Sequence, residues 1–169
     1  GYQGGVGAFV NFARVYGLDL DDLAAHVAAA VPPADMAAAR ARYDWMMRKP
    51  GAVSDLPPEI WAACDVIKTS WRKAHPAITA FWDSCATAAA DVLSGRAAVG
   101  YAGKHIRFAR VGTYLCCYLP SSRVMCYPAA ELCGDGDSAL FRYYGPLPAS
   151  KRWGYLRTYA GKIAENITQ

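Results

Sequence analysis

The chain has 169 residues, of which 54% are hydrophobic and 19% are charged, and its formal net charge is +4. This composition excludes an intrinsically disordered chain, because such chains contain fewer apolar and more charged residues. The length predicts one domain or one large piece of a longer protein. No run of about 20 apolar residues is present, so the sequence predicts no membrane span and no membrane partner.

Positive charge is concentrated in the C-terminal part of the chain. Residues 1–96 carry nine Lys and Arg against ten Asp and Glu, whereas residues 97–169 carry nine against four, a net charge of +5. Such an excess attracts polyanions such as nucleic acid, but it is also typical of an ordinary basic surface. Both interpretations stay open on charge alone.

The six cysteines show no C-x-x-C spacing, which argues against a zinc site. Their distribution is also unlike the disulfide framework of a small secreted protein. We therefore expect free thiols in a reducing, cytoplasmic setting.

Helical periodicity dominates the N-terminal part. The pattern predicts helices over residues 6–16, 19–31 and 34–48. Gly17 supplies the left-handed residue that ends the first helix, and Asp19 is the N-cap of the second. This part of the chain is therefore expected to be a set of short helices.

Residues 57–94 predict either two helices or one long helix bent at Pro76. Asp55 is the expected N-cap, and apolar side chains from Ile60 to Trp71 recur at spacings of 4, 3 and 4. One stripe of this segment should therefore be buried.

After Gly95 the period changes from helical to two-fold. The predicted strands cover residues 106–109, 114–119, 124–127 and 140–144. A closing helix is predicted from Trp153 to Gln169, with Ser150 as its cap. This order predicts an α+β fold, mainly helical, with a small antiparallel sheet and a C-terminal helix.

The common catalytic patterns are missing from the sequence. Residues 1–7 are glycine-rich but lack the spacing of a phosphate-binding loop, and the three histidines occur singly. Acidic residues cluster only at residues 19–22 and 135–137, where they suit a helix start and a turn. The sequence therefore assigns no catalytic residue and no metal ligand.

Four stretches carry more specific signals: residues 1–9 (GYQGGVGAF), 67–82 (IKTSWRKAHPAITAFW), 119–128 (LPSSRVMCYP) and 158–169 (TYAGKIAENITQ). In this order they resemble the DNA polymerase I-like, family A DNA polymerases in the version that bacteriophages carry. The stretches are similar to the end of the fingers motif, the helix-Pro-helix step from fingers to palm, the L-P-S-G-R-x-L-x-Y-P pattern, and the palm helix along the primer–template. Ser122 replaces the usual glycine of the third.

The resemblance implies a helical fingers-like region over residues 1–96 and a partial palm-like region with short strands and a closing helix over residues 97–169. It also implies template-directed DNA synthesis, with primer–template DNA and deoxynucleotides as partners and Mg²⁺ as cofactor of the whole enzyme. The host cytoplasm is then the expected location. The family's metal-binding carboxylates would precede Gly1 and follow Gln169, so we expect an inactive fragment that binds no metal.

Five residues are candidate DNA contacts under this resemblance. Tyr2 matches the fingers tyrosine that stacks near the template base. Lys162, Asn166 and Gln169 recur at spacings of 4 and 3, so they share one helix face, which either lines the duplex minor groove or is a polar solvent face. Arg123, between two strands, either reaches a phosphate or is a solvated loop residue.

Two alternatives to the polymerase hypothesis stay open. The chain could be a non-catalytic nucleic-acid-binding module on the same scaffold, or a structural protein–protein module. A coding sequence without acidic metal ligands on both sides of the segment would contradict the polymerase hypothesis and favour the binding module. The absence of salt-dependent affinity for primer–template DNA would favour the protein–protein module.

Overall fold

The computed structural model describes residues 4–134 and 140–168. Its helices are α1 Val6–Val15, α2 Leu20–Ala30, α3 Pro33–Met47, α4 Pro58–Ala74, α5 Pro76–Leu93 and α6 Ala160–Thr168. Its strands are β1 Val99–Ala102, β2 Ile106–Val111, β3 Tyr114–Tyr118, β4 Val124–Tyr127, β5 Glu131–Leu132, β6 Phe141–Pro146 and β7 Trp153–Thr158. These elements confirm the predicted α+β fold.

The described chain forms two compact units, which meet in sequence at Pro76 and Ala77. The expected division between a fingers-like and a palm-like region at residue 96 concerns function and stays a prediction. None of the helices in the described ranges is long and apolar enough to cross a membrane.

The start of the first unit follows the predicted signals. Gly17 has φ +66°, the left-handed conformation that ends a helix, and it follows the C-cap of α1 directly. The Asp19 carboxylate accepts the backbone N–H groups of Asp21 at 2.8 Å and Asp22 at 3.1 Å, which satisfies two donors at the start of α2. Both boundary predictions are confirmed.

The start of α4 corrects one prediction. The N-cap is Pro57 and not Asp55, and Pro58 occupies the first turn. Proline has no N–H and its fixed φ suits the first helical position, so the helix starts here without a capping carboxylate. At the other end, His75 leaves the helical conformation with φ −125° and ψ 59°, which makes residues 57–94 two helices.

The core of the first unit lies along α4. One group of buried side chains joins α4 to α1 and α2, and it contains Val6, Val10, Ala24, Ile60, Ala63 and Cys64. A second group joins α4 to α3, and it contains Met36, Ala39, Ala62 and Val66. Asp65 is the buried charged residue of this unit: its carboxylate is enclosed by Arg42 from α3 and Lys68 from α4. Burial of a carboxylate is tolerated here because both oxygens have cationic partners.

In the second unit a four-stranded antiparallel sheet with order β1-β2-β3-β4 packs against α5. The backbones of β1 and α5 approach closely at Gly100, where an added Cβ would lie 2.9 Å from the Cα atom of Ala88. The hydrophobic core shared by the sheet, α5 and α6 contains Cys85, Ala88, Ala89, Val92, Ala102, Ile106, Phe108, Leu115, Cys117, Leu119, Tyr127, Ala130, Phe141 and Ile163.

A three-stranded antiparallel sheet with order β5-β6-β7 forms the rest of this unit. It corrects the closing helix predicted over Trp153–Gln169: residues Trp153–Thr158 are strand β7, and α6 begins only at Ala160. The segment alternates exposed and less exposed side chains and pairs with β6 along its whole length. Ser150 therefore caps no helix; its hydroxyl accepts the N–H of Arg152 at 3.3 Å within the β6–β7 turn.

Candidate nucleic-acid interface

Helix α6 presents Lys162 to solvent. Its inner face, formed by Ala160, Gly161, Ile163 and Ala164, is buried. The Lys162 ammonium lies 2.9 Å from the Glu165 carboxylate, and this hydrogen bond raises the pKa of Lys162. Exposed ion pairs of this kind contribute at most about 1 kcal/mol, so the ammonium can exchange Glu165 for a phosphate at little cost.

Asn166 is half-buried and has a partner in the sheet. Its side-chain Nδ2 donates to the hydroxyl of Tyr127 on β4 at 3.4 Å. Tyr127 packs edge-on against Phe141 and Tyr143, with ring centroids 5.3 and 5.1 Å away. Burial raises the pKa of Tyr127 to about 12, which keeps its hydroxyl neutral. Asn166 therefore tethers α6 to β4 as well as lying one helical turn from Lys162.

Arg123 lies in the turn between β3 and β4. The turn is closed by the N–H of Leu119 donating to the carbonyl of Arg123 at 2.9 Å, and by the N–H of Ser122 donating to the carbonyl of Leu119 at 3.0 Å. Ser122 has φ +65°, the left-handed conformation that glycine adopts most easily. Arg123 is exposed, and its side chain makes no hydrogen bond or ion pair with the residues that the structure describes.

The predicted contact residues are thus only partly brought together. Lys162 and Asn166 lie one turn apart on α6, while Arg123 lies in a separate turn. Tyr2 and Gln169 lie outside the described residues.

Sequence reasoning missed the exposed face of β6 and β7, which carries Tyr144, Trp153 and Tyr155. The two-fold alternation of Trp153, Tyr155 and Arg157 is the signal that indicates a strand with one solvated face. The helix predicted over Trp153–Gln169 does not take this alternation into account.

The described residues do not fit a Mg²⁺ site. Within residues 4–134 and 140–168, three or more His, Cys, Asp or Glu side chains nowhere form a group able to hold a metal ion. The buried carboxylate of Asp65 is already neutralised by Arg42 and Lys68. A two-metal reaction requires carboxylates that converge on both ions, so no phosphoryl-transfer step is assigned to these residues.

A search of known proteins relates the chain to a "DNA polymerase" of Bacillus phage SP02, with 35% identity over 103 residues. The match covers 59% of this chain, whereas the chain spans only 15% of that polymerase. Neither a protein-family model nor a solved structure matches the chain. The sequence is therefore related to a phage DNA polymerase, which confirms the relation to DNA polymerases that the sequence motifs indicated.

Proposed function

We propose that this chain is part of a bacteriophage-type family A DNA polymerase, with fingers-like residues 1–96 and palm-like residues 97–169. The single observation that carries this proposal is the 35% identity over 103 residues to the phage SP02 polymerase. The collinear order of the four stretches that resemble family A motifs supports the finer family assignment. The whole protein then adds deoxynucleotides to a primer 3′ end on a DNA template.

In this proposal the chain holds DNA and does not perform chemistry alone. Tyr2 stacks near the template base, and Lys162, Asn166 and Gln169 line the primer–template minor groove. Arg123 binds a phosphate. The exposure of Lys162 and its weak ion pair with Glu165 support contact of its ammonium with the phosphates that border this groove, because no buried contact must be broken.

The Mg²⁺ ligands belong, in this proposal, to parts of the polymerase outside the 169 residues. The isolated chain should extend no primer in the presence of Mg²⁺ and deoxynucleotides. Extension by a preparation free of host polymerase would contradict the proposal.

The DNA contact is tested by comparing two lysine variants of the same unit. Lys162→Ala should reduce the slope of log affinity against log salt for primer–template duplex by about 0.9, the value for one neutralised phosphate. Lys104→Ala, which removes an exposed lysine from the turn between β1 and β2, should leave the slope unchanged. Equal slopes for wild type and both variants would remove Lys162 from the interface.

A second candidate is a non-catalytic nucleic-acid-binding module on a polymerase scaffold, which the net charge of +5 over residues 97–169 supports equally. The coding sequence around this segment distinguishes the two. A polymerase requires acidic metal ligands on both sides, and their absence would leave the binding module as the function.

A further inference from the structure

The solvent face of the second sheet carries a continuous aromatic row formed by Tyr155, Tyr144 and Trp153. The Tyr144 ring centroid lies 5.6 Å from that of Tyr155 and 5.8 Å from that of Trp153. The register pairs Tyr144 with Tyr155 and places Trp153 opposite Pro146, one same-face step further along. Such steps along a strand measure about 6.8 Å.

These rings are exposed although the sheet has a core-facing side. Trp153 is 63% exposed, Tyr155 46% and Tyr144 40%. The opposite face holds the buried Phe141 and Thr158. Since burial of the core is achieved by the other face, the aromatic row is not explained by the packing of this unit.

Basic residues flank the aromatic row in the sequence. Residues 140–159 carry four, Arg142, Lys151, Arg152 and Arg157, and no acidic residue. The Arg142 guanidinium lies 4.6 Å from the Tyr155 ring centroid and is held there by an ion pair with Glu131 at 2.8 Å. Arg142 is thus paired with Glu131, whereas Lys151 and Arg152 are exposed directly before Trp153.

The end of the row near Trp153 is held by an ordered turn. The Leu147 N–H donates to the Arg152 carbonyl at 2.7 Å, and the Lys151 N–H donates to the Leu147 carbonyl at 2.9 Å. Lys151 and Arg152 therefore directly precede Trp153 on a closed turn. Trp153, the largest ring of the aromatic row, therefore has Lys151 and Arg152 next to it in the chain.

We propose that this aromatic row binds single-stranded DNA, with unpaired bases stacked on Trp153 and Tyr155 and the phosphates held by the flanking cations. Flat aromatic faces beside a positive groove are the chemistry that recognises unpaired bases, because every base has a π-face and every linkage a negative charge. A duplex offers such faces only at its ends. The site differs from the α6 surface, and it does not depend on polymerase activity.

The test measures binding of the 169-residue chain to fluorescent oligothymidylate of about ten nucleotides, within the range of known single-strand sites. An abasic oligonucleotide of equal length carries the same phosphates without bases. The wild-type chain should bind oligothymidylate at least about 5-fold more tightly than the abasic strand, the effect expected for one stacked base. Equal affinities would show a purely electrostatic surface and overturn the proposal.

Variants locate the binding site. Trp153→Ala and Tyr155→Ala should each weaken oligothymidylate binding about 5-fold or more, while Tyr155→Phe retains the ring and should bind like wild type. Trp45→Ala is the matched control, since Trp45 on α3 is 61% exposed and also has a lysine, Lys49, over its ring at 3.8 Å. Circular dichroism confirms that each variant is folded.

The possible outcomes also separate this proposal from the polymerase assignment. No binding of oligothymidylate by wild type, or equal affinities for Trp153→Ala and Trp45→Ala, would overturn the stacking site. Duplex binding that is unaffected by Lys162→Ala would count only against the α6 interface. Oligothymidylate binding that depends on Trp153 would support the stacking site whichever result Lys162→Ala gives.

Discussion

Cys116 on β3 and Cys126 on β4 lie directly opposite each other, with their Sγ atoms 3.8 Å apart. Both side chains are on one face of the sheet, and Cys126 is exposed while Cys116 is buried. Burial and the neighbouring Cys126 raise the pKa of Cys116. Of the two, Cys126 is therefore the thiol that reacts first with an external oxidant.

Diamide should link these two cysteines in preference to any other described pair. The Cys126 thiolate adds to diamide, and the Cys116 thiol displaces the adduct, so that two thiols are oxidised to one disulfide and diamide is reduced to the hydrazine. Peptide mapping should find a Cys116–Cys126 cross-link that Cys126→Ser abolishes. A cross-link formed instead by the buried Cys85 would contradict the register of β3 and β4.

The ion pair between Arg42 and Asp65 predicts a strong difference between two arginines on α3. Arg42 donates to the buried Asp65 carboxylate at 2.7 Å, whereas Arg40 reaches the exposed Glu59 at 3.4 Å. Arg42→Met should lower the free energy of unfolding by about 3 kcal/mol, because it leaves a buried carboxylate with Lys68 as its remaining cation. Arg40→Met should change it by less than about 0.5 kcal/mol. Urea unfolding measures both, and similar losses would show that Asp65 is solvated.

Gly100→Ala should destabilise the second unit. The added Cβ would overlap the backbone of Ala88 on α5, including its carbonyl oxygen, and backbone atoms of a helix cannot move aside as a side-chain end can. We expect a loss of about 1–3 kcal/mol in unfolding free energy. Gly7→Ala on α1 is the control: a Cβ there meets nothing within 4 Å, so the variant should gain about 0.5–1 kcal/mol. An unchanged melting temperature for Gly100→Ala would mean that β1 and α5 are further apart.

Alkaline pH should weaken the fold through Tyr127. Its pKa is raised from 10.0 to about 12 by burial, so the native state favours the neutral phenol. The stabilisation is fully present below pH 10 and is lost as the pH rises through about 12. Tyr127→Phe should therefore lose less stability than wild type over this interval, whereas Tyr101→Phe, at an exposed tyrosine, should follow wild type. Identical pH profiles for all three proteins would place the Tyr127 hydroxyl in water.

Local signals predicted the boundaries where a single residue determines the backbone. Gly17 ends α1 and Asp19 caps α2 because left-handed φ and carboxylate capping are properties of those residues themselves. Strand β7 was assigned wrongly because its identity depends on pairing with β6, a partner that local periodicity does not include. The short strand β1 was not predicted for a related reason: the role of Gly100 is its close approach to α5, and that contact is not visible in the local sequence.

For the candidate site too, local features were predicted and long-range contacts were not. Helical spacing correctly placed Lys162 and Asn166 one turn apart on one helix. The bond from Asn166 to Tyr127 joins residues 39 positions apart, and the partners of Asp65 come from packing of α3 against α4. Such long-range pairs are set by tertiary packing and were not predicted.

A single residue, Tyr159, separates the end of β7 from the start of α6. Its carbonyl accepts the N–H groups of Lys162 and Ile163, while the carbonyl of Thr158 accepts the N–H of Leu140. Backbone hydrogen bonds thus hold the chain on both sides of Tyr159, and this one residue connects the strand of the aromatic row to α6. If one DNA strand contacted both surfaces, the number of nucleotides between the last stacked base and the first base pair would be constant, because a single residue joins the two elements.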